Sequence, residues 1–298
     1  MRGAKLALIR QPWFIIVICL LGIYTYAVFE NTGDVKIRPT TANAAEDSGE
    51  VKSPIKKVYL QDEIKSKEVK ALKIYGFESM NVTFANGENG KISFRLKGRG
   101  RRYLKNGKNF SDWLKVKNDG VQVKIAPAIK GNFNGGIFDY WANGDELDLA
   151  IYLPPKHGFE DVEVKSVSGD INVNGLKTET FDVSLVSGNV SLVDGRAKNL
   201  KVKTVSGDVD TERFVIEKAS IKSVSGDVTM STLAKRPSYK VKTVSGNLEL
   251  QLPRDADLKV DFESMTGELL NQFASKDKAK GRVKFSSLSG DAEITKLQ

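Results

Sequence analysis

The chain is poor in the residues that form disulfides and most metal sites, with one cysteine, Cys19, and one histidine, His157, among 298 residues. A single cysteine excludes an intrachain disulfide and a cysteine metal site. Beyond residue 29 the sequence also lacks an amphipathic helical pattern. Short alternating apolar and polar segments bounded by glycine and asparagine are present instead, which is the pattern of β-strands. The sequence therefore predicts an all-β protein without a cofactor or a metal site.

The N-terminal segment predicts a membrane anchor. Three basic residues at 1–12 precede an uncharged stretch at 13–29, and acidic residues follow it. As a helix this stretch would be about 26 Å long, close to the ~30 Å of a bilayer core. The charge distribution favours a cytoplasmic tail at 1–12 and a single pass through the cell membrane, with the C-terminal domain extracellular. A cleaved signal peptide is the alternative, because Ala-Asn-Ala at 42–44 resembles a cleavage site.

Composition divides the rest of the chain into three parts. Residues 30–66 lack apolar periodicity and are rich in polar and charged residues, which indicates a solvated linker. Residues 67–298 are the predicted external domain. It has irregular β segments at 67–148, interpreted as a cap region, and regular repeats at 149–298.

The regular part repeats the sequence Val-Ser-Gly-Asp or Val-Ser-Gly-Asn. Two degenerate copies follow at Gly267 and Gly290. The regular glycines, spaced by 19 or 20 residues, are Gly169, Gly188, Gly207, Gly226 and Gly246. A constant period near 19 residues predicts a solenoid in which each repeat is one coil stacked on the last. Parallel crossover connections favour right-handed winding.

Alignment of the repeats on these glycines reveals columns that are apolar in every copy. One column precedes the glycine and another follows it. They are Val162, Phe181, Leu200, Ala219, Tyr239, Val260 and Val283, and Ile171, Val190, Val209, Val228, Leu248, Leu269 and Ala292. Residues two apart share a face of a strand, so each repeat is predicted to contain an inward-facing strand, a corner at Ser-Gly-Asp and a second inward-facing strand. The predicted fold is a single-stranded β-helix, preceded by a smaller β region and an N-terminal transmembrane helix.

A β-hairpin meander is the alternative fold. Gly-Asp between two alternating runs is also a two-residue turn signal. A meander tolerates strands of different length, whereas stacked coils need equal lengths. The constant intervals therefore favour the β-helix.

The repeats resemble the putative-adhesin (DUF4097) family of bacterial surface proteins. The resemblance rests on the repeated Val-Ser-Gly-Asp sequence and on a strand ending in Leu-Pro at 147–154, echoed at 248–253, and it covers about residues 67–298. With its N-terminal anchor, the chain is similar to the membrane-anchored, Lia-type member of envelope-stress operons. The resemblance implies a β-helical domain outside the cytoplasm, no enzymatic activity and a role in adhesion or envelope stress. It implies no binding residues.

The position after each corner glycine carries a carboxylate or an amide. The column is Asp170, Asn189, Asp208, Asp227, Asn247, Glu268 and Asp291. Stacking would bring unpaired carboxylates within about 4.8 Å, where they repel and can recruit calcium or a cationic partner. The alternative is that Asp and Asn stabilise the turn by bonding their own backbone. Four lysines, Lys165, Lys203, Lys222 and Lys242, stand five residues before members of the column and can neutralise part of its charge.

The serines of the repeats are predicted to stabilise turns through their hydroxyls. The column is Ser168, Ser187, Ser206, Ser225, Ser245, Thr266 and Ser289. A serine nucleophile needs an adjacent base, and the chain has only one histidine. The sequence therefore predicts no catalytic residues in this column.

A basic stretch between residues 95 and 108 is one candidate binding site. Its members are Arg95, Lys97, Arg99, Arg101, Arg102, Lys105 and Lys108. The chain has a net charge of +9, whereas residues 149–298 hold 22 basic and 21 acidic side chains. The stretch can attract anionic lipid headgroups or wall polymers, and the alternative is a solvated basic loop. Its predicted position outside the cytoplasm argues against nucleic acid.

An aromatic loop at 131–141 is the second candidate site. Its aromatic members are Phe133, Phe138, Tyr140 and Trp141. Rings flanked by amides suit a sugar or peptide ligand. They equally suit a cap over the open end of the β-helix.

Three functions are compatible with these features. The first is a non-catalytic, membrane-anchored envelope protein that binds wall polymer, the membrane surface or another envelope protein. The second is a regulatory partner of a membrane stress-sensing system. The third is a polysaccharide-cleaving enzyme, since β-helices can carry such sites. The first is favoured because the acidic residues are spread over turns and do not form an acid and base pair in one cleft.

Overall fold

The computed structural model describes residues 56–65, 67–76, 80–100, 114–127, 146–274 and 278–297. These residues form 21 β-strands, and no α-helix occurs among them. The all-β prediction is confirmed. No helix in this part of the chain is long and apolar enough to cross a membrane. The predicted anchor at 13–29 lies outside the described residues.

The strands are numbered in chain order. They are β1 Lys56–Lys65, β2 Ala71–Tyr75, β3 Met80–Asn86, β4 Lys91–Gly100, β5 Leu114–Asn118, β6 Gln122–Pro127, β7 Glu146–Leu153, β8 Phe159–Lys165, β9 Ile171–Asn174, β10 Lys177–Ser184, β11 Val190–Val193, β12 Arg196–Lys203, β13 Val209–Glu212, β14 Val215–Lys222, β15 Val228–Ser231, β16 Ser238–Lys242, β17 Leu248–Leu252, β18 Leu258–Glu263, β19 Leu269–Asn271, β20 Gly281–Ser286 and β21 Ala292–Lys296.

The strands belong to two sheets. The eleven-stranded sheet has the order β1-β4-β7-β3-β9-β11-β13-β15-β17-β21-β19, and the ten-stranded sheet has the order β18-β20-β16-β14-β12-β10-β8-β2-β6-β5. Each regular repeat gives one strand to each sheet: β10 lies in the ten-stranded sheet and β11, after the corner at Gly188, lies in the eleven-stranded sheet.

Neighbouring repeats pair in parallel and in register. Val183 of β10 pairs with Val202 of β12, which pairs with Ile221 of β14. A meander would pair successive strands antiparallel, so that alternative is wrong for the repeats. Among the described strands, antiparallel pairing joins only β1 to β4, β4 to β7 and β5 to β6. The solenoid prediction is confirmed, and the direction of its winding stays a prediction.

The coils do not all stack in chain order, contrary to the sequence-based prediction. The last coil, β20 and β21, lies between the β16/β17 coil and the β18/β19 coil. Near the N-terminal end, the β2/β3 coil similarly lies between β6/β7 and β8/β9. The irregular segment at 67–148 thus contributes strands to the same two sheets as the repeats.

A single apolar core runs between the sheets. The predicted apolar columns are buried in the inner coils, for example at Phe181, Val190 and Leu200. Their exceptions belong to the outermost coil, β18 and β19, where Val260 is only partly buried and Leu269 is 40% exposed. This coil has no neighbour on one side within the described structure, so its inward residues keep contact with solvent.

The corner glycines are required for two reasons. Gly207 has a φ of +128°, a region that favours glycine, and so do the equivalent glycines from Gly169 to Gly246. A Cβ added to Gly207 would also lie 2.1 Å from the carbonyl oxygen of Gly188 in the preceding coil. The corners therefore stack main chain on main chain.

We predict that Gly207→Ala lowers the free energy of unfolding by about 3 kcal/mol or more, because strain at positive φ adds to the clash with Gly188. Gly90→Ala is the matched control. Gly90 also has a positive φ, +79°, but a Cβ there would meet nothing within 4 Å. Its expected loss is about 1–2 kcal/mol, from backbone strain alone. Denaturant titration of both variants measures the difference, and equal losses would contradict the stacking argument.

Candidate functional site: a basic sheet face

The column after the corner glycines forms a ladder of hydrogen bonds between coils. The backbone N–H of Asn189 donates to Oδ1 of Asp170 at 2.8 Å, and that of Asp208 donates to Oδ1 of Asn189 at 3.0 Å. The same bond recurs at each regular corner up to Asp291 and Glu268. These side chains bond the backbone of the next coil, so the prediction that they bond their own backbone is wrong.

This ladder lines an open polar groove of about 730 Å³. Among the described residues, no group of three or more acidic, histidine or cysteine side chains is placed to hold a metal ion. The lysines predicted to neutralise the column, such as Lys203 and Lys222, form no ion pair with it in the described structure. The ladder is therefore part of the corner architecture.

The turn-stabilising hydroxyls lie two positions before the predicted serines. The Ser166, Thr204 and Ser223 hydroxyls each donate to the carbonyl oxygen two residues later, at 2.9–3.0 Å. The predicted column, from Ser168 onwards, pairs through isolated β-bridges between coils. The serines of the column therefore contribute through the main chain, whereas Thr266 also donates its hydroxyl to the carbonyl oxygen of Leu288.

Three register rows on the outward face of four adjacent strands of the ten-stranded sheet carry only basic and neutral side chains. These strands are β12, β14, β16 and β20. Glu217 of β14 lies outside these rows and pairs with Arg196. The neutral positions are Asn199, Ser220, Ser238 and Ser286. The basic positions, called the basic face below, are Lys201, Lys203, Lys218, Lys222, Lys240, Lys242, Arg282 and Lys284.

The outward face of the eleven-stranded sheet has a different charge pattern. The outward positions of β9, β11, β13, β15, β17 and β21 carry no basic residue, apart from the exposed Lys296 at the end of β21. Four of them are acidic: Asp210, Glu212, Glu249 and Glu293. Over the coils of the basic face, positive and negative charge therefore lie mainly on different sheets.

Like charges are stacked at close range on the basic face. Lys203, Lys222 and Lys242 are register partners on neighbouring strands, about 4.8 Å apart at the backbone. Burial lowers the pKa of Lys242, and the nearby positive charges of Lys240 and Lys222 lower it further. The basic face is thus under electrostatic repulsion that a bound anion would relieve.

Acidic partners lie only along the borders of the basic face. Lys201 is 4.0 Å from Asp182 on β10, and Arg282 pairs with Asp261 on β18. Lys284 pairs with a neighbouring carboxylate on the same border strand at 2.6 Å. No ion pair involves the other five cations in the part of the chain that the structure describes: Lys203, Lys218, Lys222, Lys240 and Lys242.

A shallow depression of about 440 Å³ lies within the basic face. Ser220 and Ser238 contribute short side chains to it, and the buried Ala219 lies beside them. Its lining includes five cations and no acid. They are Lys201, Lys218, Lys240, Arg282 and Lys284.

The sequence-predicted basic stretch is not part of this face. Arg95 and Lys97 are exposed on β4 of the other sheet, and the Arg95 guanidinium lies 5.8 Å from the centroid of the Tyr152 ring. The backbone of Arg99 lies on the same strand, opposite Glu146. Arg101, Arg102, Lys105 and Lys108 lie outside the described residues, as do Phe133, Phe138, Tyr140 and Trp141 of the aromatic loop.

A family model described as Toastrack DUF4097 matches residues 69–297. The chain belongs to the DUF4097 Toastrack family. This confirms the family resemblance, whereas the narrower Lia-type resemblance stays a prediction. A search of curated proteins finds no match to the Toastrack chain.

Several solved structures show weak likeness to the Toastrack domain. A putative cell adhesion protein from Clostridium sporogenes is 14% identical, with a TM-score of 0.39 over 81% of this chain and 100% of that one. A putative adhesin from Bacteroides fragilis is 12% identical, with a TM-score of 0.43 over 80% and 97%. A putative lipid binding protein from Parabacteroides distasonis is 14% identical, with a TM-score of 0.45 over 80% and 97%.

The basic face is not evident from the total charge, because basic and acidic residues are nearly equal in number over residues 149–298. A signal was present in the glycine alignment. Four residues before the glycine stand Lys203, Lys222 and Lys242, and six before it stand Lys201 and Lys240. Comparison of columns, rather than of contiguous segments, would have found the face.

We predict that Lys242→Gln raises the melting temperature at neutral pH and low salt. The folded-state pKa of Lys242 lies below its ordinary value, so its charge costs stability below that pKa, and stability rises as pH increases toward about 10. The part of the gain that comes from repulsion by the neighbouring lysines should shrink near 0.1 M salt, where the Debye length is ~10 Å. Lys235→Gln, which removes an ion pair with Asp255 outside the face, should give no gain. Equal shifts for both variants would contradict this account.

Proposed function

We propose that this Toastrack protein is a non-catalytic, membrane-anchored envelope protein that binds an anionic polymer of the cell wall through the basic face. The observation that supports the proposal is the set of twelve outward positions in the three register rows that cross β12, β14, β16 and β20, of which eight are basic and none is acidic. A polyanion neutralises such an array and releases its own counterions, which favours binding.

A polymer fits the basic face better than a membrane surface. Proteins that lie on membranes insert aromatic or aliphatic side chains beside their basic residues. The outward positions of the basic face are all Lys, Arg, Ser or Asn, and Tyr239 between them is only 2% exposed. The depression at Ser220 and Ser238 is also concave, which suits a chain-like ligand more than a flat bilayer.

Binding without catalysis follows from the side chains of the basic face. Cleavage of a glycosidic bond generally needs two carboxyl groups flanking the bond. The twelve positions of the three rows hold no carboxylate, and Glu217, which lies beyond them on β14, is a single carboxylate paired with Arg196. A role in envelope stress, as a partner of a sensor system, stays a prediction from the Lia-type resemblance.

The proposed anchor at residues 13–29 places the domain next to the wall. Its support is the uncharged stretch preceded by basic residues. Alkaline extraction of cell membranes tests it, since a spanning protein stays in the pellet. Release of the full-length protein into the supernatant, or an N-terminus beginning near residue 45, would contradict the anchor.

Polymer binding is tested by cosedimentation of the full-length protein with wall fragments that retain their anionic polymers. Lys203, Lys222 and Lys242 are replaced together by serine. We expect binding to weaken roughly 100-fold, because each lysine near an anionic surface contributes about 1 kcal/mol. The dependence of binding on salt should also decrease.

The matched control replaces three ion-paired lysines outside the basic face, Lys70, Lys91 and Lys235, by serine. It removes the same total charge and should leave binding nearly unchanged. Equal losses for the two triple variants would indicate a net-charge effect and contradict the proposal. Binding to anionic lipid vesicles but not to wall fragments would assign the face to the membrane.

A further inference from the structure

Long and short side chains alternate in both directions around the depression. On one row of register partners, Lys218 is followed by Ser238 and Arg282. On the row beside it, Ser220 is followed by Lys240 and then Lys284. The two serines therefore lie diagonally opposite each other, and each has a lysine both beside it on its own strand and across from it on the neighbouring strand.

This alternation places two hydroxyls at the base of the depression and cations around them. Diagonal neighbours of a sheet are about 7–8 Å apart. Two hydrogen bonds of ~2.7 Å, one from each hydroxyl, leave room for a small anion between them. The side-chain hydroxyls of Ser220 and Ser238 have no hydrogen-bond partner within the described structure, so both can donate.

The cations at the depression differ in how they are held. Lys218 and Lys240 form no ion pair in the described part of the chain and can reach an anion freely. Arg282 is held by Asp261, which orients its planar guanidinium at the edge of the depression. A guanidinium recognises planar or tetrahedral oxyanions through paired N–H groups, whereas the lysines supply point charges.

We propose that the depression binds one phosphate group of the polymer, through the hydroxyls of Ser220 and Ser238 and the charges of Lys218, Lys240 and Arg282. A phosphate presents several acceptor oxygens in different directions, which matches donors on two sides of the depression and at its edge. A carboxylate presents two oxygens in one plane and meets fewer of these donors. This inference rests on the proposed function and adds selectivity for phosphate over carboxylate.

The test compares two probes with equal numbers of charges, poly(glycerol phosphate) and polyglutamate, on the full-length protein. The double variant Ser220→Ala, Ser238→Ala keeps every charge. We expect it to lose about tenfold in affinity for poly(glycerol phosphate), because hydrogen bonds to charged groups are lost. Its affinity for polyglutamate should not change. The control, Ser191→Ala with Ser231→Ala, removes two outward hydroxyls of the other sheet and should affect neither probe.

A second pair of variants separates charge position from charge number. Lys218→Ser with Lys240→Ser removes two cations of the depression. Lys203→Ser with Lys222→Ser removes two cations of the same face outside it. The two double variants should weaken polyglutamate binding equally. The Lys218/Lys240 variant should weaken poly(glycerol phosphate) binding about tenfold more than the Lys203/Lys222 variant does. Inorganic phosphate should compete with the polymer better than acetate does at equal ionic strength.

The outcomes distinguish this inference from the function on which it rests. Equal binding of both polymers by the wild type, unchanged by the serine variant, would overturn the phosphate subsite and leave polyanion binding intact. Absence of binding to either polymer would overturn both. Binding of phosphatidylglycerol vesicles that is lost in the serine variant, without binding of the polymer, would show that the phosphate belongs to a lipid and would overturn the polymer assignment.

Discussion

Main-chain contact between successive corners is the constraint on which the rest of the structure depends. A methyl group on Gly188, Gly207 or Gly226 would lie 2.1–2.3 Å from the carbonyl oxygen of the preceding corner glycine. The adjacent Asp or Asn accepts a hydrogen bond from the next coil at the same corner. Together these contacts hold every coil at one distance and in one rotational setting. The strands on either side of the corner consequently pair in register.

Because the register between coils is constant, residues that recur in the repeat form continuous surfaces. Each outward position is continued by the equivalent position of the next coil, so a lysine that recurs in the repeat becomes a row of lysines, as from Lys203 to Lys242. Burial lowers the pKa of Lys242, and the repulsion within this row lowers it further. Where serine stands in place of lysine at two diagonal positions on neighbouring rows, the surface has a depression. The candidate site thus arises from small departures from the repeat.

The two ends of the described solenoid depart from simple stacking. Insertion of β20 and β21 between earlier coils buries the C-terminal strands on both sides, so the end of the chain does not form the edge of the sheets. That edge belongs to β18 and β19. There, Met265, Leu269 and Leu270 are exposed, and the core columns lose part of their burial. Chain order and spatial order therefore differ where the glycine repeat becomes degenerate.

The sequence by itself determined the β class, the coil length and the buried columns, because glycine spacing and alternation of apolar residues are local properties. It also indicated the family. Only the tertiary structure decided the order of the terminal coils, since Gly267 and Gly290 both stack closely on the carbonyl oxygen of another corner glycine and their order depends on packing. It likewise decided the site: residues such as Lys218 and Arg282, 64 positions apart in the sequence, become near neighbours through strand pairing. The predicted site at Arg95 was a contiguous run of charge, whereas the basic face is assembled across coils.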